Sequence, residues 1–549
     1  MSRRWILILI LVFAGLLRLW RLDAVPEGFH ADEASFGYNA FSLLRTGRDE
    51  YGKLMPLTLE SFGDQKGALY AYLTVPFISV FGLTPFAVRL PTALAGIILV
   101  GLIYALVNKL SKNETLALTA AALTAVSPVS VSLSRVQSDP LVSAGLFFAG
   151  MYLLIVWFTS KRPLHLVLSA VLVLMSMMTY HVTKVAYPVY VLSSLFWYRG
   201  SLSGRQKFLT FLAMLAVTAV GLYVTVSSPE RFLQLSSIGG AQASLQLESE
   251  HLEDGVMDLP PLIARMFHNK VTANSGVLID NYAAYFSPSQ LFLQSVEPRR
   301  ERIPATGFLL LTDAPFLLAG IYFIIRRKAT WGYLMLSWIF LGTVTFAPSG
   351  HETPNIHRFL ISLLPVYAVV AYGITGIIQS FRQIRRTISA GMVIILYGIN
   401  LAFFLHQLFI HQPVHEPYFR DFAYRPLIGK LVSISGDYDL IVFSKANGNP
   451  YIHWLFWTGY DPAAYQHSGS RRDLDYVRFD KFYFVPEDCP SEEIKYWPIK
   501  SDPAGAVLFV NRGSCGIGPN SRKLDTVSWR NGLEAFQLVG YVATASARR

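Results

Sequence analysis

Apolar residues fill the first three quarters of this chain in long blocks almost free of charge, with polar residues gathered in short clusters between them. Eleven blocks stand out, at residues 5–21, 86–107, 115–133, 140–159, 164–180, 183–198, 208–227, 306–325, 330–348, 359–380 and 388–410. A helix needs about 20 apolar residues to cross a ~30 Å hydrocarbon core. The pattern therefore predicts a polytopic α-helical membrane protein with about 11 transmembrane helices. The block at 183–198 is short for that task and is expected to share a tilted hairpin with 164–180.

The clusters between blocks set the orientation. Arg3 and Arg4, Lys109 and Lys112, Lys161 and Arg162, Arg199, Arg205 and Lys207, Arg326 to Lys328, and Arg382, Arg385 and Arg386 fall at every second boundary. Basic residues favour the cytoplasmic side, so the N-terminus is expected inside and the C-terminus outside. The first block ends in LLRLWRL without a small-residue cleavage site and reads as a retained span rather than a signal peptide. The outer side then receives residues 22–85, short loops at 134–139 and 180–184, a long loop at 228–305, the turn SGHETPNIHRF and the tail 411–549.

Two of these regions carry their own periodicity. In the first loop Phe36, Ala40, Leu43 and Leu44 recur at helical spacing, which predicts an amphipathic helix lying at the membrane interface. GALYAYLTVPFISVFG follows, too short to span and expected along the same surface. In the tail, DLIVF, KFYFVP and AVLFV read as buried strands, and NGNPYIHWLFW is helix-compatible. The chain thus divides into a transmembrane domain, 1–410, and a small C-terminal α/β extracytoplasmic domain, 411–549.

Composition agrees. Of 549 residues, 52% are hydrophobic and only 15% charged, against roughly 25% charged in soluble proteins. The net charge of +11 would suit a nucleic-acid partner, but the basic residues sit in the topological clusters above, and that class is excluded. Cys489 and Cys515 are the only cysteines, and both a disulfide and two free thiols are open readings.

The unusual polar residues fall in the outer loops. HADEASFGYNA places Asp32 and Glu33 side by side just past the first block, where they could simply cap the helix that follows. Lys66 in SFGDQKGALY could snorkel at the interface, and Asp139 in QSDPL fits helix-start grammar before Pro140. Arg135, Lys184 and Arg358 are the only basic residues of their short outer loops, against the positive-inside trend. Carboxylates and isolated cations on one membrane face suit one chemistry. A carboxylate accepts a proton from an acceptor hydroxyl, and lysine and arginine hold a lipid phosphate as it leaves. Group transfer from a lipid phosphate is the function the residues predict.

The order of motifs resembles a known group. An acidic pair after the first span, TGRDEYG, ESFGD, GDQKGALYAYLTVPFISVFG, FAVRLPTALAG, LSRVQSDP, MTYHVTKVAYP, NYAAYFSPSQLF, IPATGFLLLTDAPFLLAG and PNIHRFLISLLP together resemble the C-type (GT-C) glycosyltransferases. The likeness is to the protein O-mannosyltransferase and lipid A aminoarabinose transferase superfamily, in its bacterial branch. SKANGNPYIHWLFWTGYDPAAYQ resembles that branch's extracytoplasmic domain. The resemblance implies Asp32 as catalytic base with Glu33 beside it, and Lys66 on the donor phosphate. It implies Asp139 as a second acidic residue near it, and Tyr180 and Lys184 as a Tyr-x-x-x-basic pair where relatives often carry arginine. It also implies His357 and Arg358 in a late outer turn. The sequence departs from the family at Gly67-Ala68, where two prolines are usual, and at Asn355-Ile356, where Pro-His is expected.

The expected reaction is an inverting transfer of a sugar from a polyprenyl-phosphate donor to a hydroxyl of a protein, lipid or glycan, at the outer face of the plasma (inner) membrane. Asp32 takes the proton, and the phosphate leaves toward Lys66, Lys184, Arg135 and Arg358. No cofactor is fixed by the sequence. A divalent metal is left open, with His30, close to Asp32 in sequence, a weak candidate ligand. The acidic run ESEHLEDG reads as a solvated face, or as part of a lid or acceptor surface in the long loop, and Arg300 and Arg302 near its return either reach a phosphate or flank the next span. The rivals are a lipid-linked glycan flippase, a glycan ligase or polymerase using oligosaccharide donors, and a non-catalytic scaffold. A flippase would carry charge at mid-span, where only Asp313 stands out, near an outer end.

Overall fold

A computed structural model of the chain describes residues 2–226, 241–294, 297–349, 353–468, 477–492, 506–518 and 521–541. The chain forms two compact units. One comprises Met1–Trp20, Thr92–Ser134 and Ser138–Gln407, the other Arg21–Pro91, Arg135–Gln137 and Leu408–Arg549.

In chain order the first helices are α1 (Arg3–Leu19), α2 (Ala31–Thr46), α3 (Leu69–Phe81), α4 (Pro85–Ser111), α5 (Glu114–Val126), α6 (Pro128–Leu133), α7 (Asp139–Ser160), α8 (Pro163–Thr179), α9 (Val182–Tyr198) and α10 (Gly204–Val226). The later apolar blocks form the helices Asp313–Arg327, Thr330–Val344, Ile356–Gln379 and Gln383–His406. Every apolar block thus contains a helix. Five described segments are long and apolar enough to cross a membrane: Pro85–Ser111, Asp139–Ser160, Gly204–Tyr223, Ile356–Gln379 and Gln383–His411. Others are shorter; α5 has 13 residues, about 20 Å of helix. Of the long loop at 228–305, residues 228–240 lie outside the described residues, and ESEHLEDG falls within the helix Ala241–Val256.

Two block boundaries differ from expectation, each for a local reason. The block 115–133 breaks at Pro128, which lacks an N–H and cannot continue a helix from the turn before it. The Ser127 hydroxyl caps the new start by accepting from the Ser130 N–H at 3.2 Å. The break orphans carbonyls at the end of α5, and Arg18 of α1 fills the gap. Its guanidinium donates to Ala125 O (3.0 Å), Thr124 O (3.3 Å), Ser130 Oγ (2.8 Å) and Ser134 Oγ (3.2 Å) while completely buried. Arg18 is thus a structural charge inside an apolar block, where hydropathy alone gives it no role. Arg18→Leu removes these donors and leaves buried carbonyls unpaired, so stability should fall by about 3 kcal/mol or more. A thermal melt of the purified variant within a degree or two of wild type would contradict this role. In the second case, the block 306–325 becomes helical only at Asp313. That carboxylate accepts from the Leu310 N–H (2.9 Å) and the Tyr397 hydroxyl (2.6 Å).

The helices of this unit pack closely through small residues, as membrane helices do. A Cβ on Gly320 would lie 2.0 Å from Val369 O, and one on Gly373 would lie 1.9 Å from Phe316 O, so Asp313–Arg327 and Ile356–Gln379 meet backbone to backbone. Tyr190 of α9 donates to Ile361 O at 2.9 Å and stacks on Trp338 at 5.1 Å, joining three helices.

The second unit is built around α2. The helix was expected to expose a polar face at the membrane surface, and here the structure corrects the expectation. Ser35, Asn39 and Ser42 on that face are buried beside Phe36 and Ala40. They are buried because they are paired. Asn39 donates to Glu50 Oε1 (3.2 Å) and accepts from the Glu50 N–H (3.0 Å), and Ser42 donates to Arg48 O (2.7 Å). Glu50 and Arg48 belong to TGRDEYG, so that motif covers the helix. Phe36 packs edge-on against Tyr70 of α3 at 5.3 Å, and Tyr38 against Tyr465 at 6.3 Å.

The first loop holds a hairpin of β1 (Thr58–Ser61) and β2 (Asp64–Gly67). The tail contributes six strands, β3 (Leu440–Ser444), β4 (Val477–Phe479), β5 (Phe482–Val485), β6 (Val507–Arg512), β7 (Ser521–Ser528) and β8 (Glu534–Tyr541), in a mixed sheet of order β4-β5-β3-β6-β8-β7. β3 runs parallel to β5 and β6, with Ile441 opposite Phe482 and Leu508. The helices Tyr424–Ile434 and Pro450–Thr458 share one hydrophobic core with this sheet and with Phe29, Ala34 and Tyr38 of the first loop. A disulfide joins Cys489 and Cys515, resolving the open reading of the two cysteines.

Candidate active site

The first turn of α2 sets two adjacent carboxylates in different surroundings. His30, not Asp32, is the N-cap. Its Nδ1 accepts from the Asp32 N–H at 3.1 Å, and Glu33 accepts from the His30 N–H at 3.2 Å, a reciprocal capping box. Asp32 and Glu33 are consecutive on the helix, so their side chains diverge by about 100°.

Glu33 turns inward and is buried. Arg89 meets it through Nε (2.9 Å to Oε1) and Nη2 (3.1 Å to Oε2), Arg420 through Nη2 (3.1 Å to Oε2), and the Gln137 N–H adds a bond at 3.0 Å to Oε1. Burial alone would raise its pKa, but the two guanidiniums win and hold it down at about 2. Arg89 also donates to Gly28 O (2.7 Å), Leu22 O (3.1 Å) and Pro26 O (3.2 Å), folding the 22–28 turn around itself. Gly28 sits at φ +89°, and a Cβ there would lie 2.4 Å from Arg420 O, so only glycine admits this approach.

Asp32 points the other way and keeps about a fifth of its side chain exposed. Lys66 makes an ion pair with its Oδ1, and His30 Nδ1 lies 3.5 Å from Oδ2. Lys66 arrives on a hairpin that carries no strand signal in the sequence. β1 (Thr58–Ser61) pairs antiparallel with β2 (Asp64–Gly67), with Leu59 opposite Lys66. The rings of Phe62 and Phe36 lie 5.1 and 5.8 Å from the ammonium. Gly67 ends β2, and Ala68 is the N-cap of α3.

Arg135, expected on the donor phosphate, is completely buried and donates through Nη2 to Val25 O (3.0 Å) and Arg21 O (3.3 Å), with its guanidinium over Phe409. Burial and the nearby Arg89 charge lower its pKa to about 10. The other predicted residues belong to the helical unit. Asp139 opens α7, capped not by itself but by Ser138, whose hydroxyl accepts from the Leu141 N–H at 3.3 Å. Tyr180 follows α8 with its ring 4.3 Å from that of His181, and Lys184 lies half-buried in the first turn of α9. Asn355 caps the helix carrying His357 and Arg358, accepting from the His357 N–H at 2.9 Å, and Arg358 hydrogen-bonds the buried Tyr285 hydroxyl.

A divalent cation does not fit the acidic pair as arranged. Both Glu33 oxygens are taken by guanidinium and backbone donors, and Asp32 Oδ1 is held by Lys66. Among the described residues, the one His/Cys/Asp/Glu group at ligand spacing is Cys489, Glu492 and Cys515, and its sulfurs are joined in the disulfide.

Three residues of the site were missed in the sequence. Arg89 had a signal, a lone arginine near the start of an apolar block in FAVRLPTALAG. Arg420 and Asp421 had none, because only tertiary contact brings them to α2.

The fold is that of the GT-C membrane glycosyltransferases. It is similar to the structure of ArnT from Cupriavidus metallidurans bound to undecaprenyl phosphate, with a TM-score of 0.54 and 12% identity over 99% of both chains. The apo form of that protein gives a TM-score of 0.55 at 11% identity over 98% of both. It is also similar to the oligosaccharyltransferase AglB from Archaeoglobus fulgidus, in complex with an inhibitory peptide and a dolichol-phosphate. There the TM-score is 0.51 at 12% identity, over 83% of this chain and 63% of that one, so this chain spans under two thirds of AglB's length. Residues 65–224, which include Lys66, Arg89, Arg135, Asp139, Tyr180 and Lys184, match the family described as dolichyl-phosphate-mannose-protein mannosyltransferase. No curated protein matches the sequence.

Proposed function

We propose that this chain is an integral-membrane glycosyltransferase that moves a sugar from a polyprenyl-phosphate donor to an acceptor hydroxyl at the outer face, with inversion at the anomeric carbon. The contrast between Asp32 and Glu33 carries the reading. One carboxylate is buried and neutralised by two arginines, while its neighbour keeps about a fifth of its side chain exposed and is ion-paired with Lys66. Lys66 is the shared group. A donor phosphate entering beside it competes for the ammonium and frees Asp32 to accept the hydroxyl proton. The hydroxyl oxygen then bonds to the anomeric carbon as the carbon–oxygen bond to phosphate breaks, and the polyprenyl phosphate leaves with its negative charge against Lys66. Lys184 and Arg358 are proposed as further phosphate ligands, with Asp139, Tyr180 and His357 supporting them. Arg135 is reassigned to holding the 21–25 turn, and Glu33 to positioning its neighbour.

Support for a lipid-phosphate donor comes from the bound lipids of ArnT and AglB, and support for an enzyme from the mannosyltransferase family match. Proposed orientation is N-terminus inside and C-terminus outside, in the inner membrane. The Cys489–Cys515 disulfide favours an oxidising compartment for the tail.

The direct test incubates purified protein with radiolabelled polyprenyl-phosphate sugars and candidate protein, lipid and glycan acceptors. Donor consumption with release of polyprenyl phosphate is expected. Movement of intact donor across liposomes without consumption would instead make the protein a flippase. Lys66→Met should raise the donor KM at least about tenfold and lower kcat as well, since the lysine serves both ground state and transition state. An unchanged donor KM would detach Lys66 from the phosphate.

A further inference from the structure

We propose that Arg420, Asp421 and His453 of the tail are positioning residues that hold the general base Asp32 in register, so that transfer depends on a contact chain running from the C-terminal region to the first turn of α2. This deepens the reading of Asp32 as base and rests on it.

The first turn of a helix leaves its N–H groups without intrahelical partners. Here the residue before Asp32 and the residue after it are both gripped by consecutive residues of the tail. The Ala31 N–H donates to Asp421 Oδ2 at 2.8 Å, and Glu33 Oε2 accepts from Arg420 Nη2 at 3.1 Å. Arg420 also donates from Nε to Glu27 O at 3.3 Å, so the same side chain holds the approach to the helix. Asp421 can serve this way because its backbone is left-handed, at φ +55°. That conformation costs a non-glycine residue energy, and aspartate tolerates it better than most.

A second layer fixes Asp421. His453 Nε2 lies 3.2 Å from Asp421 Oδ2, and its ring is fully buried and stacked on Tyr424 at 4.1 Å and 11°. The Tyr424 hydroxyl in turn donates to Asn447 O at 3.0 Å. His453 Nδ1 is buried with no partner among the described residues, so the ring meets polar protein only on its Asp421 side. A histidine in this core is costly without a purpose. Orienting the carboxylate that holds Ala31 supplies one. A base displaced by a fraction of an ångström loses much of its rate while the substrate still binds.

The experiment uses the full-length protein and reads kcat, donor KM and melting temperature separately. Asp421→Ala should lower kcat at least about tenfold with donor KM changed less than about twofold. Asp421→Asn should recover most of that loss, because the amide oxygen still accepts from the Ala31 N–H and asparagine tolerates the left-handed backbone. Arg420→Lys should likewise outperform Arg420→Met. Should Asp421→Ala fail to fold, His453→Phe decides the matter, since it keeps the stack on Tyr424 and loses only the bond to Asp421. Its kcat should fall about threefold or more at unchanged KM.

Asp32→Asn is run beside these variants. If it retains transfer, the base reading fails and the positioning proposal falls with it. If it is inactive while folded Asp421→Ala and His453→Phe turn over like wild type, the base stands and the positioning proposal is overturned. Equal defects in Asp421→Ala and Asp421→Asn would also overturn it.

Discussion

Asp32→Asn is expected to give a folded protein that binds its lipid donor and transfers sugar about 10²–10⁴ times more slowly, the range for loss of a general base. The substitution is nearly isosteric, and the backbone N–H at that position can still donate to His30 Nδ1. What it removes is the ability to take a proton and the charge opposite Lys66. That ion pair is mostly buried, so its loss exceeds the ~1 kcal/mol of a surface pair, and the melting temperature should fall by a few degrees while the protein stays folded. Donor affinity should hold or improve, because Lys66 is released to the phosphate. Single-turnover transfer from a radiolabelled polyprenyl-phosphate sugar, with donor binding measured in parallel, checks each point. Transfer within tenfold of wild type would remove Asp32 from the chemistry.

Glu33→Gln should have the opposite character, a defect of folding first and of rate only second. The neutral amide would leave the Arg89 and Arg420 guanidiniums buried without their countercharge, and breaking such a cluster costs about 3–5 kcal/mol. Adding Arg89→Met should recover part of this loss by removing one stranded charge. The pH dependence follows in sign. The folded carboxyl titrates near 2 against an ordinary 4.5, so it contributes stability that is fully present above about pH 5 and is lost as the pH falls toward 2. Wild type should therefore lose melting temperature more steeply than Glu33→Gln over that window. Parallel melts at pH 7, 5 and 3 test it, and superimposable acid limbs would contradict the assignment.

How much of this is visible in the sequence depends on the range of the interaction. Helical blocks show because apolar character persists over many residues, and each of them contains a helix in the structure. Chain breaks need single-residue chemistry, and Pro128 marks one that hydropathy alone runs through. The strands β3, β5 and β6 are continuous apolar runs and are legible. The β7–β8 hairpin is not, although Asn531-Gly532 sits at its turn with Gly532 at φ +88°, because its polar-rich β7 carries no apolar run. In the site, Asp32, Glu33 and Lys66 stand out together in the sequence, and the structure brings them together. The sequence does not separate the roles of Asp32 and Glu33. That distinction depends on which direction each faces and on Arg420, a partner no local pattern announces.

The grip of the tail on α2 also has a timetable. Glu33 and Arg420 are 387 residues apart, and a chain grows at about 5–20 residues per second, so roughly 20–80 s separate the synthesis of one from the other. Through that interval the acidic pair has been made with Arg89 near it in sequence but without the residues that complete its seat. A chain cut short between Arg89 and Arg420 therefore holds the acidic pair and its capping box but lacks the tail contacts to Ala31 and Glu33.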